Sequence, residues 1–273
     1  MDFSEFQNIK TYNFHSHTQF CDGKAPMEEF VREAVRQRFT HYGFSPHSPL
    51  PLRSPCNMQA DDVPTYLAEV ERLRTAYGDK IKLYAGMEID YLGPQWGPTH
   101  PYFDSIQLDY RIGSVHFIPN PEERYVDIDG HYENFRGKME QYFYRDIRYV
   151  VDTFYRQSID MVEAGGFDIL GHLDKVGHNA AHYSPGIEDE PWYQRLVDML
   201  IDAVEASGVI VEVNTKAWQD HRRMFPSTRY LSRLVSAGVP LLVNSDAHFP
   251  SLINASRATA YSLLAESGLG GSE

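Results

Sequence analysis

The chain has 273 residues, 42% hydrophobic and 23% charged, enough for one globular domain over residues 1–273 with a sizeable core. Its formal charge of -13 argues against a sequence-independent nucleic-acid binder, which needs a basic surface to displace phosphate counterions; bound cations would offset part of that acidity. With no run of about 18 apolar residues and no charged-then-apolar leader, neither a membrane span nor a signal peptide is expected, and the protein reads as cytoplasmic.

In chain order, residues 13–17 read as a first strand, and His15 and His17, two apart, leave the same face of it. Pro26 with Glu28 and Glu29 opens a helix striped by Met27, Phe30, Val31, Ala34 and Val35, ending near Arg38. Residues 40–45 form a second strand, followed by a loop punctuated by Pro46, Pro49, Pro51 and Pro55. Asp61 or Asp62 caps the next helix, striped by Leu67, Val70, Leu73 and Tyr77 before Gly78. Residues 81–91 and 110–117 read as strands, and 143–164 as a long helix with Ile147, Val150, Val151, Phe154 and Ile159 on one side.

Three further apolar runs, 167–173, 209–214 and 239–244, alternate with helices around 192–206 and 227–237. A last helix covers about 252–267, and the Gly-Gly-Ser tail is expected to fray. Seven strands with helices between most of them predict a single α/β barrel. Cys21 and Cys56 form no C-x-x-C pair and read as reduced.

Metal-type residues fall at the strand ends, where a barrel of this kind collects its chemistry. His15 and His17 end the first strand, His47 follows the second, Glu88 lies late in the third, and His116 ends the fourth. His172 ends the fifth, and Asp246 and His248 follow the seventh. Singly, each has a plain explanation: a surface loop for His47, core histidines for His116 and His172, a local polar turn for Asp246 and His248. Glu88 resists one, because an isolated carboxylate in an apolar strand is costly without a partner. Jointly, the plain explanations require seven coincidences on one rim.

The ordered series His15-x-His17 with Asp22-Gly23, Ser45-Pro46-His47, Gly86-Met87-Glu88, Gly113-Ser114-Val115-His116, Gly171-His172-Leu173-Asp174 and Ser245-Asp246-Ala247-His248 resembles the polymerase and histidinol phosphatase (PHP) superfamily over about residues 12–250. The strand end Glu212-Val213-Asn214-Thr215 and the long insertion after His116 resemble its stand-alone histidinol-phosphatases. The resemblance implies a distorted seven-stranded β/α barrel of the TIM type, with a metal site at its C-terminal rim.

It further implies three divalent ions, of zinc, iron or manganese. One would sit on His15, His17, Glu88 and Asp246, a second on Glu88 as a bridge with His116 and His172, and a third on Asp22, His47 and His248. The implied activity is hydrolysis of L-histidinol phosphate in histidine biosynthesis, through a metal-bridging hydroxide beside Glu88, with Asp246 or His248 passing a proton to the leaving group. Another phosphomonoester, a nucleotide phosphodiester, or a non-catalytic metal-binding role are the alternatives. Lys216, Lys175, His178 and Arg222 are the candidate phosphate contacts. Lys216 and His178 stand where relatives often carry arginine, which removes bidentate geometry. Arg223 is a second candidate from the same loop. Residues 119–140 and 182–192 read as long polar loops that shape the pocket, the first carrying Arg124, Asp127, Asp129 and His131.

Overall fold

The computed structural model describes residues 1–268, and the Gly-Gly-Ser tail lies outside them. In order the elements are β1 (Tyr12–Asn13), α1 (Met27–Arg36), β2 (His41–Phe44), α2 (Val63–Tyr77), β3 (Lys82–Asp90), a short α3 (Pro101–Asp104) and β4 (Tyr110–Ser114). The hairpin β5 (Phe117–Pro119) and β6 (Tyr125–Asp127), α4 (Tyr132–Tyr142), α5 (Ile147–Ala164), β7 (Ile169–Leu170), α6 (Val176–Tyr183) and α7 (Pro191–Ser207) follow. The chain continues with β8 (Ile210–Asn214), a short α8 (Trp218–His221), α9 (Leu231–Ser236), β9 (Leu241–Asn244) and α10 (Arg257–Glu266).

Seven strands pair in parallel in the order β1-β2-β3-β4-β7-β8-β9, so the fold is a distorted seven-stranded α/β barrel. The distortion is local. β1 and β7 are two residues each, and β1 meets β9 through side chains rather than a regular ladder. At that seam the Phe14 and Ser245 amides donate to the side chains of Asn244 and Asn13, and the Tyr12 hydroxyl accepts from the Val243 amide. Only at the rim does backbone pair with backbone, where Ser16 bridges Ala247.

Inward positions change character along the strands. A floor of Phe3, Phe6, Tyr12, Phe14, Tyr110, Ile112, Ile169 and Leu242 fills the bottom. Tyr110 donates its hydroxyl to the Phe14 carbonyl at 2.6 Å, and Gly86 leaves room for its ring, since a Cβ there would lie 2.2 Å from it. Two residues further along each strand the inward positions become polar: Glu88, Ser114, Glu212 and Asn244, all fully buried.

The helices form for the reasons their sequences suggest. α1 buries Met27, Phe30, Val31 and Ala34, one apolar stripe. α5 starts where the Asp146 carboxylate accepts the Tyr149 amide, four residues later than expected, and ends at Gly165, whose φ of 69° favours glycine. The stretch 119–140 is not a loop throughout: it holds the hairpin and most of α4, whose buried stripe is only Phe135 and Met139, too thin to read as periodicity. α6 follows β7 at Val176, and the stretch 182–192 holds the end of α6, a 3-10 turn, Ile187–Asp189, and the start of α7 at Pro191. The last α-helix is shorter than expected because a 3-10 turn, Pro250–Leu252, precedes it. Among the described residues no helix is long and apolar enough to cross a membrane.

Candidate metal centre

The structure brings His15, His17, Asp22, His47, Glu88, His116, His172, Asp246 and His248 together at the carboxyl ends of the strands. Glu88, late in β3, is their hub. Its Oε2 lies 3.0 Å from His47 Nδ1, 3.3 Å from His15 Nε2 and 3.5 Å from His17 Nε2. Its Oε1 lies 2.9 Å from His172 Nε2 and 3.6 Å from His116 Nε2, and accepts from Ser114 Oγ. The two oxygens of one carboxylate thus face two separate groups of imidazoles.

Asp22 is a second hub further out. Its Oδ1 is 3.3 Å from His248 Nε2 and 3.8 Å from both His17 Nδ1 and His47 Nε2. Asp246 Oδ1 stands between, 3.1 Å from His17 Nε2 and 3.5 Å from His248 Nδ1. Three sets could each hold a cation: His17, Asp22, His47 and His248; His15, His17 and Asp246; and His47, Glu88 and His116. His17 and His47 recur between sets.

The donor set fits divalent ions on a second count. His15 Nε2, His17 Nε2, Asp22 Oδ1, His47 Nδ1 and Glu88 Oε2 are buried and make no hydrogen bond, although their neighbours are close. Buried polar atoms ordinarily find partners. Lone pairs converging on shared points without N–H to oxygen geometry are what imidazole and carboxylate ligands present to a zinc, iron or manganese ion.

Charges in the cluster are mutually held. Burial opposes ionisation of Glu88, but His15, His47 and His116 outweigh it and keep the carboxyl well below its usual range. Burial opposes protonation of His116, yet Asp90 and Glu88 push it up to about 10. His15 is raised in the same way, burial being outweighed by Glu212, Glu88 and Asp246. The Asp246 carboxyl is held low against burial by Lys216, His15 and His17.

Three supporting residues, Glu212, Asp90 and Asn244, were not anticipated from sequence as part of the site. Glu212 Oε1 receives His15 Nδ1 at 2.6 Å, and its Oε2 accepts from the His172 amide and Asn214 Nδ2. Asp90 Oδ1 holds His116 Nδ1 at 2.8 Å. Each carboxylate fixes an imidazole by the nitrogen facing away from Glu88. The signal was available: Glu212 is isolated between valines in an apolar strand, as Glu88 is, and Asp90 shares the face of Glu88 two residues on. Asn244 tethers Glu212 through Nδ2. Asp129, from the insertion after the fourth strand, lies 3.4 Å from Lys175 Nζ; burial is outweighed by Lys175, His116 and Lys216, which hold its carboxyl low.

Of the candidate phosphate contacts, Lys216 Nζ reaches Asp246 Oδ1 at 3.3 Å and His248 Nε2 at 3.4 Å. Lys175 stays charged against burial through Asp129, Asp246 and Glu88. His178 lies against the rings of His182 and His221 rather than any rim histidine. Arg222 stacks over Trp218, outside this set of contacts. Arg223 is held in a largely buried ion-pair triad with Asp174 at 2.6 Å and Glu188 at 2.9 Å, its Nε left without a partner.

A parallel α/β barrel whose rim gathers imidazoles around a central carboxylate defines the class of metal-centred barrels. The chain belongs to the PHP domain family, whose model matches residues 13–216. It is 25% identical over 269 residues to a probable histidinol-phosphatase of Schizosaccharomyces pombe, covering 93% of this chain and 86% of that one. A histidinol-phosphatase of Bacillus subtilis is 24% identical, covering 86% and 92%. Among solved structures, a Listeria monocytogenes protein superposes with a TM-score of 0.81 at 19% identity, covering 91% of this chain and 99% of that one. A Lactococcus lactis histidinol phosphate phosphatase, solved with zinc, L-histidinol and phosphate, gives a TM-score of 0.69 at 18% identity, covering 94% and 93%. At these identities the structural likenesses establish the fold.

Proposed function

We propose that this chain is a metal-dependent phosphomonoesterase that hydrolyses L-histidinol phosphate to L-histidinol and phosphate, as a single domain in histidine biosynthesis. The observation that carries the chemistry is Glu88, a buried carboxylate whose two oxygens face separate imidazole groups. The substrate rests on the relatives, two of them named histidinol-phosphatases. Three divalent ions, of zinc, iron or manganese, are assigned to the three ligand groups: His15, His17, Glu88 and Asp246; Glu88, His116 and His172; Asp22, His47 and His248. When bound, such ions neutralise phosphoryl oxygens and bring the pKa of water toward about 7.

The chain's own residues do the rest. Glu88 orients both inner imidazole groups from one rigid strand. Lys216 and Lys175 place positive charge beside Asp246 and Asp129, where a phosphate dianion meets the rim. Asp246 or His248 is assigned to pass a proton to the departing alkoxide. Asp129 supplies a carboxylate facing the same space, suited to the ammonium of an amino alcohol.

The test is phosphate release by the purified protein, supplied with manganese or zinc, from L-histidinol phosphate beside other monoesters and a phosphodiester. A kcat/KM preference for L-histidinol phosphate is expected. Hydrolysis of other esters alone would keep the chemistry and discard the substrate, and no hydrolysis with metals fully bound would leave a non-catalytic metal-binding domain.

A further inference from the structure

The rim ligands fall into two grades of burial and support. The side chains of His15, His17, Glu88, His172 and Asp246 are at most 3% exposed and that of His116 is 8% exposed, whereas those of Asp22, His47 and His248 are 24%, 13% and 14% exposed. Support differs as well. Glu212 and Asp90 hold the far nitrogens of His15 and His116 with carboxylate oxygens at 2.6 and 2.8 Å. His47 Nδ1 faces Glu88 Oε2 at 3.0 Å, while His248 Nδ1 has the Asp246 backbone carbonyl at 3.1 Å and Asp246 Oδ1 at 3.5 Å. A carboxylate behind a ligand imidazole fixes its tautomer and raises its basicity; losing one typically costs about 10–100-fold in metal affinity.

Charge divides the site too. The Lys216 ammonium stands 3.4 Å from His248 Nε2, the nitrogen that faces Asp22, where it meets a cation with like charge, and 3.3 Å from Asp246 Oδ1, whose carboxylate offsets it on the inner side. Glu88 brings both of its oxygens to the inner groups and its Oε2 also to His47 Nδ1, while the outer group has the single carboxylate Asp22 of its own.

Resting on the three-ion reading above, we infer that the outer position, built on Asp22, His47 and His248, exchanges its divalent cation with solvent, while the two positions sharing Glu88 retain theirs. Water reaches the outer ligands, the group has one carboxylate of its own, and the Lys216 ammonium stands beside His248. The chain then carries a resident pair of ions and one whose occupancy follows the free divalent-cation concentration.

The experiment loads the full chain with manganese or zinc, adds excess chelator, and measures metal per chain by elemental analysis after rapid desalting at successive times. Three ions at saturation are expected, one lost in a fast phase and two in a slow one. Asp22→Asn should lower saturation by one ion and abolish the fast phase with the slow phase unchanged; His248→Asn, should Asp22→Asn fail to fold, should do the same. Glu212→Gln should speed the slow phase and leave the fast one alone. Release of all three ions in one phase, or loss of the slow phase in Asp22→Asn, overturns the inference while leaving three ions intact. Saturation below three ions in the unmodified protein instead overturns the three-ion reading on which it rests.

Discussion

Glu88 is ionised in a place where burial disfavours charge, and it is stable there because imidazoles surround both of its oxygens. Truncating it therefore removes more than one contact. Glu88→Ala should lose both inner ions together, read as metal per chain, and phosphate release should fall to background. Full metal content in that variant would show that the carboxylate does not bridge. A separate residue-scale effect belongs to His178, whose ring is partly buried against His221 and His182 and whose pKa falls from 6.5 to about 4. Between those values the unfolded chain binds more protons than the folded one, so stability drops as pH falls through that window and is unaffected above it. Denaturant midpoints of the metal-free protein at pH 7 and pH 4.5 should show this loss, and His178→Asn should reduce it.

At the scale of elements, β3 places Glu88 and Asp90 on one inward face two residues apart, so one strand supplies both the hub of the site and the support of His116. Further round the barrel, β7 and β8 are backed by the outer helices α5 and α7. α5 and α7 bury Val150, Val151, Phe154, Leu196, Val197, Leu200 and Val204 between them and the sheet. Leu200 is fully buried there, away from the rim. Leu200→Ala should cost about 2–5 kcal/mol, because the lost apolar contacts come with a cavity that packing only partly closes. Chemical denaturation should show the shift at unchanged metal stoichiometry. An unchanged midpoint would mean that this helix pair adds little to the barrel.

For the whole molecule, the metal centre lies across the seam and ties early strands to late ones: His15 and His17 follow β1, and Asp246 and His248 follow β9. The seam itself has few backbone bonds below the rim, so ligation there joins the two edges of the sheet. Any ligand that binds only the folded chain stabilises it, by about 4 kcal/mol at a free concentration 1,000 times its Kd. Chelation should therefore lower the melting temperature, and added manganese or zinc should restore it. A melting temperature insensitive to chelation, with the metal measured as gone, would mean that the seam closes through Asn13, Asn244 and Tyr12 alone.

What the sequence by itself determined was the candidate ligand series, which the structure gathers on one rim, and the barrel that presents it. Metal chemistry restricts residue types to histidine and carboxylate, and short strands deliver those residues at recognisable ends, so both are local signals. Helix stripes such as Met27, Phe30, Val31 and Ala34 were legible for the same reason, whereas α4 and α6, with few buried residues or no preceding turn signal, were not. Only the tertiary structure decided which groups stand behind the ligands and which cations remain free. Glu212 meets His15 across 197 residues and Asn244 meets Phe14 across 230, distances over which no periodicity carries information. Arg223 could equally have faced phosphate or solvent until Asp174 and Glu188, brought beside it by the packing of α6, claimed its guanidinium. Pairings of this kind follow from closing the barrel, because closure alone sets which strand ends become neighbours.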